Sequence, residues 1–170
     1  MAEAKTQDAV ALLKADHEKV AGLFEDYEKA SGAGKKQKIA EEICMELTVH
    51  AAIEEEIFYP ACEGKVEEDL LKEAYVEHDG AKILIAEIEA GGPSDEFYDA
   101  KVKVLGEQIE HHVEEEEARV EGMFAQARKA GVDMDALGQQ LAQRKQELIA
   151  NYQKGGLPKP SLTTMSATPA

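Results

Sequence analysis

Apolar residues recur every three or four positions through most of the chain, and that period admits little besides packed α-helices. The stripe runs through Val10, Leu13, Val20, Phe24 and Tyr27, then through Ile43, Leu47, Ile57, Phe58 and Ala61. It continues through Leu71, Tyr75, Leu84, Ile85 and Ile88, and then through Val102, Leu105, Ile109, Val113, Val120 and Phe124. Turn-forming clusters separate these runs at Ser31-Gly32-Ala33-Gly34, Glu63-Gly64, Gly91-Gly92-Pro93-Ser94 and Gly131-Val132-Asp133. The pattern predicts helices over about 6–30, 35–61, 65–90 and 95–129. Short connections make sequential helices antiparallel neighbours, so the expected fold is all-α, an up-down-up-down four-helix bundle. A fifth helix, about 134–153, follows Asp133 as N-cap and is expected to pack across the outside. Its stripe is Met134, Leu137, Leu141, Leu148 and Tyr152. Residues 1–154 thus read as one domain, and 155–170, rich in Pro, Ser and Thr, as a flexible, disordered tail.

Charge narrows the partners. Asp and Glu number 35 against 19 Lys and Arg, a formal charge of -16. That field repels phosphate backbones and anionic bilayers, which argues against nucleic-acid and membrane partners and favours a soluble monomer. No apolar run is long enough to span a bilayer. Met1–Val10 contains Glu3, Lys5 and Asp8 and lacks the apolar core of a secretion signal. Cys44 and Cys62 form no CxxC pair and suit a reducing, cytoplasmic setting as packing residues.

The stripes are interrupted by the wrong chemistry. His17 falls between Leu13 and Val20, His50 and Glu54 between Leu47 and Ile57, His78 between Tyr75 and Leu84, and His112 and Glu116 between Ile109 and Val120. Spacings of three and four keep all six in line with inward-facing neighbours. At roughly 1.5 Å per residue, His17 and His50 both lie about 20 Å from the turn they share, and His78 and His112 match more loosely. The four imidazoles can meet in one layer. His17 precedes His50-x-x-x-Glu54 by 33 residues, and His78 precedes His112-x-x-x-Glu116 by 34, so two similar hairpins deliver the same groups to one interior point. Two buried glutamates without a cation cost several kcal/mol each, a cost that two divalent or trivalent metal ions remove. Mixed imidazole and carboxylate donors suit iron, manganese or zinc. With four His and two Glu for two ions, the glutamates are expected to bridge and to leave open positions for a reactive small molecule.

Several stretches together resemble the hemerythrin family, specifically the hemerythrin-like HHE cation-binding proteins. They are Leu12 to Glu18, His50-Ala51-Ala52-Ile53-Glu54 through Pro60, Glu77-His78, and His112-Val113-Glu114-Glu115-Glu116-Glu117. The resemblance spans about Val10 to Phe124. It implies two iron ions in a non-haem di-iron centre, oxo- or hydroxo-bridged, held by His17, His50, Glu54, His78, His112 and Glu116. Members that carry oxygen use five histidines, whereas four fall on the motif here. His111 lies about 100° around the helix from His112 and is expected to face outward. A tyrosine or a water can fill the vacancy; Tyr59 and Tyr75 are nearest in sequence, and both read first as packing residues. The remaining glutamates of the 54–56 and 114–117 runs read as a solvated face. The four-His pattern with Tyr59-Pro60 resembles hemerythrin-like proteins associated with catalase-like removal of hydrogen peroxide. The alternative is a protein that binds or senses oxygen, nitric oxide, iron or redox state without turnover.

Overall fold

The computed structural model describes residues 7–166. Its helices are α1 (Ala9–Lys29), α2 (Ala33–Ile53), α3 (Tyr59–Cys62), α4 (Glu68–Gly91), α5 (Tyr98–Glu117), α6 (Met123–Lys129) and α7 (Met134–Gly155), with a π-helical turn, Glu54–Phe58, joining α2 to α3. Among the described residues there is no strand, and no helix is long and apolar enough to cross a membrane.

Local chemistry sets the boundaries. The Asp8 carboxylate accepts from the Ala11 N–H at 2.8 Å and starts α1, and Asp133 does the same for α7 through Ala136 at 3.0 Å. Gly32 (φ 92°) and Gly92 (φ 62°) turn the chain between α1 and α2 and between α4 and α5, in a region that side chains with a Cβ avoid. The two resulting hairpins, α1–α2 and α4–α5, pack against each other as the bundle, and α7 lies across α1, α2 and the π turn.

Two stretches depart from the sequence expectation. The second helix, expected unbroken over 35–61, passes into the π turn at Glu54, where the Tyr59 N–H donates to the Glu54 carbonyl. Pro60 lies just beyond and has no N–H to support the α register. In an α-helix, residues five apart lie about 140° apart around the axis, and the wider turn brings Glu54 and Tyr59 close to one line. The fourth helix, expected to run to 129, stops at Glu117. Ala118 is extended, with ψ 132°. Four consecutive glutamates sit at that helix end, where negative charge opposes the macrodipole. Val120, expected on the buried stripe, is 77% exposed, and the chain re-enters with Met123 and Phe124 buried.

The core is divided in two. One apolar cluster gathers Val10, Leu13, Ile53, Phe58, Phe124, Leu141 and Leu148. The other gathers Val20, Ile43, Leu47, Ile85, Ile88, Val102 and Leu105. On α1 the boundary between them falls at His17, between Leu13 and Val20, and on α4 at His78, between Ala74 and Ala81. Cys44 and Cys62 are buried and unpaired. Beyond Gly155 the chain is non-helical as far as it is described. Its residues 161–165 are nonetheless hydrogen-bonded to Asp79, Lys82 and Glu55.

α7 meets the start of α1 at Gly138, where an added Cβ would lie 2.3 Å from the Gln7 carbonyl oxygen and 2.9 Å from the Ala9 nitrogen. Backbone cannot yield as a side chain does. Gly138→Ala is therefore expected to lower stability by about 1–3 kcal/mol in urea unfolding, whereas Gly34→Ala, with open space around it, is expected to leave it near the parent value.

Candidate metal centre

His17 (α1), His50 (α2), Glu54 (π turn), His78 (α4), His112 and Glu116 (α5) are all buried and all meet between the two apolar clusters. The Nε2 atoms point to the centre and fall into two pairs. His17 and His50 lie 3.1 Å apart, and His78 and His112 3.3 Å apart. Each glutamate faces both pairs. Glu54 places Oε1 2.9 Å from His50 and Oε2 3.1 Å from His78. Glu116 places Oε2 3.3 Å from His17 and Oε1 3.2 Å from His112.

Donor atoms at neighbouring vertices around one ion with bonds of roughly 2.1 Å lie roughly 3 Å apart. The observed spacings match that figure, so the cluster has the spacing of a metal site. Glu54 Oε1 and Glu116 Oε2 supply an independent observation: both are buried without a hydrogen-bond partner. Buried oxygen atoms in that state are costly unless a cation satisfies them.

Tyr59 breaks the symmetry. Its hydroxyl lies 2.9 Å from Glu54 Oε2, 2.7 Å from Glu116 Oε1, 3.0 Å from His78 Nε2 and 3.4 Å from His112 Nε2. It therefore stands one donor spacing from every group around the His78–His112 position, within reach of an ion there. Tyr59 is wholly buried and sits in the apolar packing as well. Tyr75 packs edge-on against it, with ring centroids 5.1 Å apart, and does not enter the centre.

The outward nitrogens are held by a second set of acids that the sequence reading left on the solvated face or passed over. His17 Nδ1 pairs with Glu117 at 2.8 Å, His50 Nδ1 with Asp16 at 3.0 Å, His78 Nδ1 with Glu55 at 3.0 Å, and His112 Nδ1 with Glu77 at 2.5 Å. With Nδ1–H donating outward, each Nε2 keeps its lone pair for the centre, the state a metal requires. The arrangement is crosswise. The acid before each hairpin's first histidine (Asp16, Glu77) holds its second histidine. The acid after each inner glutamate (Glu55, Glu117) holds a histidine of the other hairpin. The signal was present in the sequence as an acid–His pair followed by His-x-x-x-Glu-Glu, twice. Lys145 pairs with Asp16, and Lys82 lies 2.8 Å from Glu55. Six carboxylates against two ammonium groups leave four negative charges, the complement of two divalent ions.

His111 faces solvent, its side chain 64% exposed, between Glu77 and Glu115. Phe124 stacks on His17 with centroids 5.9 Å apart and packs edge-on against Phe58 at 5.5 Å. The break after Glu117 is what allows α6 to lay that ring over the site.

An all-α bundle with a buried His and Glu cluster fit to hold metal is the class that fold and site define. The Hemerythrin HHE cation binding domain profile matches residues 8–124, and the chain belongs to that family. A hemerythrin HHE cation binding domain-containing protein from Mycobacterium kansasii has the same fold, with a TM-score of 0.73 at 20% identity, over 89% of this chain and 95% of that one. A protein of Nostoc sp. (strain PCC 7120 / SAG 25.82 / UTEX 2576) named DNA nickase is 32% identical over 107 residues, which are 63% of this chain but 30% of that protein. The chain thus spans less than a third of that relative.

Two outcomes follow from the electrostatics. Without cations, burial opposes charge on His50, but Glu54 and Asp16 outweigh it and push the imidazole up to about 10. Burial and the Glu54 charge oppose ionisation of Glu116, but His112 and His17 outweigh them and pull it down to about 2. The His50 contribution to stability is complete below its ordinary 6.5 and lost as pH rises towards 10. The Glu116 contribution is present above its ordinary 4.5 and lost as pH falls towards 2. Chelator-treated protein is expected to show its highest melting temperature between those ordinary values, and loading with cations at neutral pH is expected to release protons in a pH-stat. Glu77→Gln, which weakens the hold on His112, is expected to reduce metal affinity about 10- to 100-fold in competition with a chromogenic chelator.

Proposed function

We propose that this chain binds two iron ions through His17, His50, Glu54, His78, His112 and Glu116, and disproportionates hydrogen peroxide in a catalase-like reaction. The observation that carries the reading is the Tyr59 hydroxyl, within 2.7–3.4 Å of four donor atoms on one side of the centre. Imidazole and carboxylate donors together suit iron, and two-faced glutamates suit a bridged pair. Such a pair, when bound, supplies a two-electron store, so that one peroxide is reduced to water and a second is oxidised to dioxygen.

The protein's own part is positional and protic. Glu54 and Glu116 each present one oxygen to either side and would be shared by ions held there. Cleaving an O–O bond needs a proton on the departing oxygen. Tyr59 has one: burial and the neighbouring Glu116 and Glu54 hold its phenol well above the ordinary tyrosine value in the cation-free chain. Its hydroxyl sits where that proton can be handed inward and regained through either glutamate. Phe124, stacked on His17 and backed by Phe58, covers one face of that imidazole. A protonated phenol beside the centre favours turnover over stable oxygen carriage.

The relative's name brings DNA into view, but the chain covers 30% of that protein and has a charge of -16, so we assign no nucleic-acid partner. Free, buried cysteines suit a reducing cytoplasm.

Metal analysis of the purified protein is expected to give about two irons per chain, and the loaded protein is expected to evolve dioxygen from peroxide at an oxygen electrode. His50→Ala is expected to abolish this with loss of iron. Tyr59→Phe is expected to keep iron and lose at least tenfold in turnover. Full iron with ligand-dependent spectra but no dioxygen evolution would mark a binding or sensing protein instead.

A further inference from the structure

The centre does not end at the metal donors. A cavity of about 800 Å³ opens from it, reached by His17, His50, His78 and His112 and walled by Val20, Leu47, Ala81, Ile85, Ile109 and Val113. Its volume falls within the range of pockets that hold organic ligands, roughly 300–1,000 Å³. Peroxide or dioxygen needs little more than the space of one water, roughly 30 Å³. Along α4 the lining runs from His78 to Ala90, which at 1.5 Å per residue is roughly 18 Å. The space is long, mostly hydrocarbon-walled, and touches the centre at one end.

The segment after α7 roofs it. Leu157, Pro158, Lys159, Pro160, Ser161 and Thr163 line the outer side. Asp79, wholly buried, holds this segment down: the N–H groups of Thr163 and Met165 lie 2.9 Å from its oxygens, and the Thr164 N–H and hydroxyl donate to it as well. Lys82 donates to the Ser161 carbonyl at 2.9 Å and to Glu55. With the Thr163 hydroxyl donating to Glu55 at 3.0 Å, these contacts tie a short piece of chain without helix to Asp79, Glu55 and Lys82. They can release together, which a helix packed into the core cannot do.

Charge selects the ligand. Asp16, Glu55, Glu56 and Glu89 lie around the cavity, against Lys82 and Lys159. The Lys82 ammonium is already engaged by Glu55, Asp79 and Ser161. Asp16, Glu55 and Glu56 are each already met by a cation, Lys145, Lys82 and Arg144, so a charged head group would give up its hydration among closed ion pairs and hydrocarbon, whereas a neutral chain would meet alanine, valine, leucine and isoleucine. We propose that this cavity is a binding site for one uncharged, elongated apolar molecule, admitted when the Leu157–Met165 strap lifts from Asp79. The site is independent of which small molecule reacts at the metal centre, and it is present whether or not metal is loaded.

Titration with the neutral fluorophore N-phenyl-1-naphthylamine tests it on the full chain, in iron-loaded and chelator-treated forms. Saturable binding of one probe per chain is expected in both, displaced by 1-decanol and at least tenfold less well by decanoate. Ala86→Phe narrows the cavity from a half-buried lining position; it is expected to weaken the probe at least tenfold with metal content and melting temperature unchanged. Thr164→Pro removes two strap donors from Asp79, the N–H and the hydroxyl of that residue, and is expected to speed probe association at least fivefold in stopped flow. Absence of saturable binding, equal displacement by decanoate, or full-strength binding to Ala86→Phe would overturn the site. An unaltered association rate in Thr164→Pro would overturn the strap as its entrance.

Discussion

Two carboxylates buried among four imidazoles are what the rest of the molecule is arranged around. Glu54 and Glu116 are fully buried, each with one oxygen lacking a hydrogen-bond partner. Left alone, such a layer would split the fold, and it does part the apolar interior into two clusters. The layer is tolerable because every member is oriented. The histidines are turned by outer acids, two of those acids are met by lysines, and the inner oxygens face space shaped for cations. Stability and chemistry here share one set of contacts, so a change at Asp16 or Glu77 alters both.

The bundle was legible because a helical period written over four punctuated segments has few other solutions. The six inner residues were legible because polar groups on an apolar stripe, matched in height and repeated, demand a common partner. What escaped were features set by pairing between helices. Nothing in a single-helix period says that Glu55 reaches His78 or that Glu117 reaches His17, since each looks solvent-facing from its own helix. The π turn hides for a related reason: Tyr59 reads as a packing residue at α-helical pitch and meets Glu54 only once a wider turn intervenes. Likewise the stop after Glu117 depends on charge at a helix end, which leaves the apolar spacing of Val120 and Phe124 looking continuous.

Tyr59 and Phe124 make the two ends of the centre unequal. The His78–His112 side has a phenol within donor spacing, and the His17–His50 side has the unpartnered oxygens and an aromatic cover. The bundle supplies near-symmetry through duplicated hairpins, and the segments that follow Glu54 and Glu116 remove it. A phenol on one side and an aromatic cover on the other make the two ends of the centre chemically different.

The crosswise outer acids carry a further implication. Because Glu55 and Glu117 each serve a histidine on the opposite hairpin, half of this chain is an unfinished object: its imidazoles are only partly steered and its bridging acid has one bank to span from. Two identical halves placed face to face would complete each other. The architecture is thus that of a near-symmetrical pair carried on a single polypeptide, with Tyr59 on one half only.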